Sequence, residues 1–195
     1  MNPDFSSKLA PPGAGLPPLE RFVGGLLFAL RRWTGTREGT NQRFQNERAA
    51  IRSMVEGTAE SALGTRVLIR RLPGLEDSSR FWSILMTLDH LRIVHGEMSR
   101  IIRALGDGQT PAGEASTAAV KPGAEVTPAV IGAYELSCDE LLAAVAAVPD
   151  LKTRGRFSHP WFGPLDAAGW HTLAAGHMGI HRAQIQRIRA GLTGK

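Results

Sequence analysis

Apolar positions three and four residues apart recur in four long blocks between residues 40 and 192, each bounded by glycine, proline or a capping residue. In "TNQRFQNERAAIRSMVEG" they place Phe44, Ile51 and Val55 on one side of a helix that closes at Gly57. "TAESALGTRVLIRRLPGLEDS" reads as a short helix or turn broken at Pro73 and Gly74. A second long helix is predicted from about Ser79 to Leu105, where "GDG" stops it. The connection that follows, "GDGQTPAGEASTAAVKPGAEV", runs for about twenty residues, a length uncommon inside a domain unless the segment crosses the fold or serves function. The third helix is expected to take Thr127 as N-cap and Pro128 as its first residue, and to end at Pro149. After the irregular "PDLKTRGRFSHPWFGPL", Asp166 is the expected N-cap of a fourth helix reaching Gly191. The pattern predicts an all-α protein, a four-helix bundle with a long crossover between helices two and three, and no internal repeat.

Upstream lies a leader over residues 1–40. Its first nineteen residues include "APPGAGLPPL", which predicts an irregular arm, and "LERFVGGLLFALRRW" predicts a short amphipathic helix weakened by Gly24 and Gly25. That helix is expected to pack on the bundle or on a second subunit, so a homodimer is an expectation; an interfacial membrane helix is the alternative. Its longest apolar run, "FVGGLLFAL", is far short of the ~20 residues that span a bilayer. Arg31 and Arg32 follow the run rather than precede it, unlike a secretory signal. A soluble, cytoplasmic protein is expected.

Composition narrows the chemistry. Aromatics are only 6% of the 195 residues, which favours helices over sheet. The net charge is +5, mostly from arginine, and raises nucleic-acid binding as a reading. However, Arg43, Arg48, Arg70, Arg71, Arg100, Arg103, Arg187 and Arg189 are scattered along polar faces without interleaved aromatics, so a solvated surface and no nucleic-acid partner are expected. Cys138 is the only cysteine, which excludes an intrachain disulfide or a thiolate metal cluster and predicts an inert buried thiol.

The histidines alter the picture more. In "GWHTLAAGHMGIHRAQIQRI", His177 and His181 share a helix face that continues through Trp170, Ala174, Ile185, Ile188 and Leu192 and so points inward. Buried imidazoles need partners, and a divalent metal satisfies two at once; the alternative is a pair of core histidines bonded to backbone or carboxylates. On the second helix, Asp89, Arg92, Gly96, Ser99, Arg100 and Arg103 mark the wet side, leaving His90 and His95 on opposite flanks of the dry side. Periodicity does not choose between them. His171 points away from His177 and is expected at the surface or helix start. His159 begins "HPWFGP", whose Trp161 and Phe162 form either a hydrophobic plug or a wall of a substrate pocket. Glu97 is a weak candidate for a base or for orienting a ligand imidazole, with a surface carboxylate as the alternative.

A mid-helix histidine in "TLDHLRIV", a long crossover, the "HPWFGPL" turn and the H-x-x-x-H pair together resemble the DinB-like superfamily, which includes mycothiol- and bacillithiol-dependent enzymes. The resemblance covers about residues 41–192. It implies an up-down-down-up bundle holding one divalent metal through His90, His177 and His181, with His95 left as a core or pocket residue. Nitrogen ligands suit zinc, nickel, iron and copper, and three of them leave an open coordination position. The resemblance therefore implies a metal-dependent enzyme of thiol-transferase or hydrolase type acting on a small molecule, with a low-molecular-weight thiol as partner. The alternative is a non-catalytic metal-binding or stress-associated structural protein. The leader and the long crossover depart from simpler members and could cover the metal mouth or form a dimer contact.

Overall fold

Thr36, Ser83 and Asp166 open three helices by the same device. In the computed structural model, which describes residues 8–194, their side-chain oxygens accept hydrogen bonds from the backbone N–H of Gly39 (3.0 Å), Met86 (3.1 Å) and Gly169 (2.8 Å). Each cap satisfies a donor that the first turn leaves unpaired. The helices so started are α2 (Arg37–Glu56), α4 (Ile84–Gly106) and α6 (Ala167–Leu192); with α5 (Val130–Ala147) they are the four long helices of the sequence pattern. Two further helices, α1 (Pro18–Thr34) and α3 (Glu60–Leu63), precede α4. The first seven residues of the leader lie outside the described residues.

Several boundaries differ from the sequence reading. The second long helix begins at Ile84, not Ser79, because Asp77–Ser79 is a 3-10 turn and strand β2 (Phe81–Trp82) pairs antiparallel with β1 (Val67–Leu68). Thr127 does not cap α5 with its side chain: its carbonyl accepts from Val130 N (3.1 Å), closing a turn before the helix starts. The "HPWFGPL" stretch is a hairpin, β3 (Phe157–His159) against β4 (Gly163–Leu165), so two very small sheets qualify the all-α expectation. The fold is nonetheless mostly helical.

Phe44, Ile51 and Val55 of α2 are buried in one core with Leu88, Leu91 and Ile102 of α4, Leu141 and Val145 of α5, and Ile185 and Ile188 of α6. The expected wet side of α4 is partly covered. Asp89 is buried, bonded to Arg92 and accepting from Gly123 N of the crossover (3.2 Å), and the Ser99 hydroxyl turns back to the His95 carbonyl (2.7 Å). Nor is Arg48 solvated: it is buried and paired with Glu135 and Asp139 of α5 at 2.5 and 2.6 Å. These contacts let a charged residue face a neighbouring helix without an uncompensated charge.

The leader and the crossover meet on one side of the bundle. Ala10 N donates to Asp77 (2.8 Å), and Thr117 and Lys121 of the crossover bond Glu76 at 3.0 and 2.6 Å. Helix α1 is tied down by Glu20 to Arg71, by Arg32 to Asp166 (2.7 Å), and by Phe28 stacked on Phe162 at 4.5 Å between centroids. Gly74 turns the chain beneath it at φ +82°, where an added Cβ would stand 2.7 Å from Ile180. Among the described residues no helix is long and apolar enough to cross a membrane.

Candidate metal centre

Three imidazoles from two helices meet at the base of this covered side. His177 and His181, one turn apart on α6, and His90 of α4 bring candidate ligand nitrogens within 4.8 Å of one another. The Nε2 atom of His177 lies 3.2 Å from that of His90 and 3.0 Å from that of His181. His90 is five residues before His95, so the two diverge by about 140° around α4. His90 turns to α6, whereas His95 turns to α5 and α2, where its Nδ1 bonds Ser137 Oγ (3.1 Å) and its ring lies against Phe44 and Tyr134.

The protons on two of the rings follow from their neighbours. His90 Nδ1 lies 2.6 Å from the carbonyl of Val120, which can only accept, so this nitrogen carries the proton and Nε2 carries the lone pair. Gln184 is similarly constrained: its amide nitrogen donates to the Ser79 carbonyl (2.7 Å), which turns its oxygen toward His181 Nδ1 at 2.7 Å. His181 therefore also presents a bare Nε2. If His177 Nε2 bore a proton it would serve one of the two lone pairs facing it, and its buried, unpartnered Nδ1 would be a stranded acceptor. With the proton on Nδ1, three lone pairs face one another. Neither arrangement engages all three Nε2 atoms, whereas a cation among them takes all three lone pairs and leaves only the His177 Nδ1–H without a partner among the described residues. Ligands ~2.0–2.1 Å from a tetrahedral ion sit about 3.3 Å apart, close to the separations here.

Burial keeps these rings neutral, the state in which imidazole ligates. Desolvation pushes His90 down to about 4, and lowers His177 and His181 well below the ordinary value with help from neighbouring histidines. Trp82 lies against His90 and His181 at 5.2 and 6.2 Å between centroids, and Lys121 Nζ stands over the Trp82 ring, 5.6 Å from its centroid.

Above the histidines opens a cavity of about 750 Å³, lined mainly by apolar groups of α1, α4, α6, the crossover and the β3–β4 hairpin. His159, Trp161 and Phe162 all line it, so the hairpin is a wall of the cavity as well as the seat of Phe28. His159 Nδ1 accepts from Trp161 N (3.2 Å) and its ring stacks on Phe162. Glu97 also lines the cavity, but it is bonded to Arg100 (2.7 and 3.0 Å) and the Nδ1 of His90 is oriented by Val120 instead. His171 lies outside the cluster, yet it is buried rather than at the surface: only 2% is exposed. Cys138 is buried, with burial pushing its thiol up to about 12, as expected of an inert group.

Gln184, the Val120 carbonyl and the buried Glu76–Lys121 pair were not singled out from sequence. Gln184 carried a signal, since it falls three residues after His181 on the same helical face. A backbone carbonyl in an irregular crossover carries none.

A helical bundle with three inward, mutually facing imidazoles beneath an apolar cavity defines a class, that of bundle proteins with a histidine-lined candidate metal centre. The sequence matches the DinB superfamily over residues 43–185, and the chain belongs to that superfamily. Its fold is similar to that of TT2238, a four-helix bundle protein of solved crystal structure, with a TM-score of 0.58, 22% identity, and coverage of 77% of this chain and 98% of that one. None of the curated proteins matches the chain.

Proposed function

We propose that the protein is a metal-dependent enzyme of thiol-transferase or hydrolase type, with His90, His177 and His181 as ligands. The observation that carries this reading is the convergence of three neutral Nε2 atoms, two of them fixed by Nδ1 hydrogen bonds, at the floor of an open cavity. A divalent ion held there, zinc, nickel or iron, would supply Lewis acidity, lowering the pKa of a thiol or water. The chain's own part is to hold the rings in the ligating tautomer through Val120 and Gln184, to surround the reacting end with apolar walls that exclude water, and to leave one side of the cluster open to a low-molecular-weight thiol.

The bundle order up-down-down-up belongs with this reading. Its support is that α4–α5 partners advance together (His95 with Ser137, Arg103 with Glu140), as do α2–α6 partners (Glu47 with Arg182, Gly57 with Arg189). The approach to α4 and α4 itself run opposite to α6, from Ser79 with Gln184 and Trp82 with His181, both ahead of α4, to His90 of α4 with His177.

A second reading, a non-catalytic metal protein, draws on the carboxylates. Glu20, Glu76 and Glu97 line the cavity, and each is engaged by a cation: Arg71, Lys121 and Arg100. Cobalt substitution separates the two readings. An open site gives a sulfur-to-metal charge-transfer band on adding a low-molecular-weight thiol, lost in His177→Ala or His181→Ala and retained in His171→Ala. A site that takes up cobalt but does not respond to thiols or small anions belongs to the second reading.

We also propose a homodimer through α1. Leu19, Phe22, Leu26, Leu30 and Trp33 recur at helical spacing on its outer face and are 54–84% exposed, a patch of the kind that marks association. Sedimentation should give a dimer that Leu26→Glu dissociates; a monomer that floats with liposomes would assign the face to lipid instead. A cytoplasmic setting accords with thiol chemistry and the free Cys138. Among the described residues eight arginines, including Arg48, Arg52 and Arg182, are engaged in ion pairs, which argues against a nucleic-acid partner.

A further inference from the structure

The charges around the cavity do not balance. Its carboxylates Glu20, Glu76 and Glu97 are each neutralised by a basic neighbour, while Arg31 and Arg43 line the same space and form no side-chain hydrogen bond or ion pair within the described residues. The two arginines come from different elements, α1 and α2, yet line one cavity and are near enough for their charges to interact; the Arg43 guanidinium extends over α6, with Nη2 3.7 Å from where a Cβ on Gly179 would stand. Glu47, which shares that spot, is held by Arg182 at 2.5 Å. Desolvation and the neighbouring Arg31 charge lower the Arg43 pKa from its ordinary value, and the Glu47 carboxylate, already held by Arg182, offsets them only in part. Between these arginines and the histidine floor the lining is apolar, with Val23, Leu27 and Phe28 of α1 facing Met98 of α4 and Leu173 of α6 across the space.

We propose that this cavity takes an anionic amphiphile, its acid group held by Arg31 and Arg43 and its apolar body lying beneath α1 toward the histidines. Two guanidinium groups match a carboxylate or sulfonate by charge-assisted hydrogen bonds, and their mutual repulsion is relieved when the anion enters. The apolar walls reward a hydrocarbon body, and the volume lies in the usual range for a small-molecule site. A cationic or zwitterionic molecule of the same length gains the apolar contact but meets unpaired like charge. This assignment rests on reading the histidine floor as the working end of the cavity, and it names the class of small molecule that would be presented there.

The test is calorimetric titration of the full-length protein, as purified and after chelator treatment, with dodecanoate, dodecanol and dodecyltrimethylammonium below their micellar concentrations. Dodecanoate should bind at least tenfold more tightly than the cationic amphiphile in both preparations. The double variant Arg31→Gln/Arg43→Gln should lose that preference while keeping its dodecanol affinity, and Leu136→Ser, on the exposed face of α5 away from the cavity, should change neither. Equal affinity for anion and cation, a preference that survives the double variant, loss of binding in Leu136→Ser, or no binding of any amphiphile would each overturn the proposal. Binding by chelator-treated protein separates this outcome from the metal reading, which is decided by metal uptake and its loss in the histidine variants.

Discussion

Gln184 makes the most specific demand on any single residue of the site. It is fully buried, and its amide bonds at once the Ser79 carbonyl and His181 Nδ1, so one side chain fixes both a backbone turn and a ligand tautomer. Gln184→Leu should keep the three imidazoles but lower metal affinity by roughly 10–100-fold, the usual cost of removing a partner of a ligating histidine. Competition against a chromogenic chelator measures it, with His171→Ala as the unaffected control; unchanged affinity in Gln184→Leu would detach the glutamine from the site. At this scale the sequence was partly legible. The pair His177 and His181 could be read from helical spacing alone, because residues four apart share a face. The third member could not: His90 and His95 both fall on the dry side of α4, and which neighbour each meets depends on how α5 and α6 pack. For His171, expected at the surface or the helix start, only the surface alternative fails, for a related reason. Its angle on α6 was read correctly as pointing away from His177, but that direction is covered, so the ring is buried.

Among the elements, the crossover and the leader are held together by one carboxylate. Glu76 is 5% exposed and accepts from Thr117 (3.0 Å), Lys121 (2.6 Å) and Gly13 N (3.4 Å), joining three segments that the sequence separates. Burial acts to raise its pKa, but the bond to Lys121 and that cation's charge hold it below the ordinary value. Glu76→Gln leaves Lys121 without its anion and should cost about 1–3 kcal/mol, read by urea unfolding. Limited proteolysis should show the leader and residues 107–129 cut sooner than in the parent protein. An unchanged cleavage pattern would mean that these segments are held by other contacts. The four long helices were legible because each repeats its apolar period several times and starts or stops at a residue with a backbone reason to do so. The two strand pairs were not, since strands of two and three residues are too short to display alternation, and β1 and β2 are also separated by an irregular stretch with a 3-10 turn.

The whole molecule buries its histidines as neutral groups, and this ties stability to pH beyond the candidate site. Burial lowers His95 to about 3 and His159 to about 4; it lowers His171 to about 4 with help from Arg37. The unfolded chain accepts these protons first, near pH 6.5, so their contribution is fully present above that value. It declines as pH falls toward about 4, and to about 3 for His95. Each such group adds a slope of at most about 1.4 kcal/mol per pH unit. Unfolding free energy should therefore drop between pH 7 and 4.5, and less steeply in His171→Asn; a flat profile would contradict neutral burial. The central claim, that His90, His177 and His181 form a metal centre through their Nε2 atoms, is tested most directly by anomalous diffraction from crystals grown with equimolar zinc, recorded on both sides of the zinc edge. The account predicts a single strong anomalous peak about 2.0–2.3 Å from all three Nε2 atoms, with Nδ1 of His90 and His181 still bonded to Val120 and Gln184. Zinc bound only elsewhere, or three histidines that remain together with no peak between them, would contradict it.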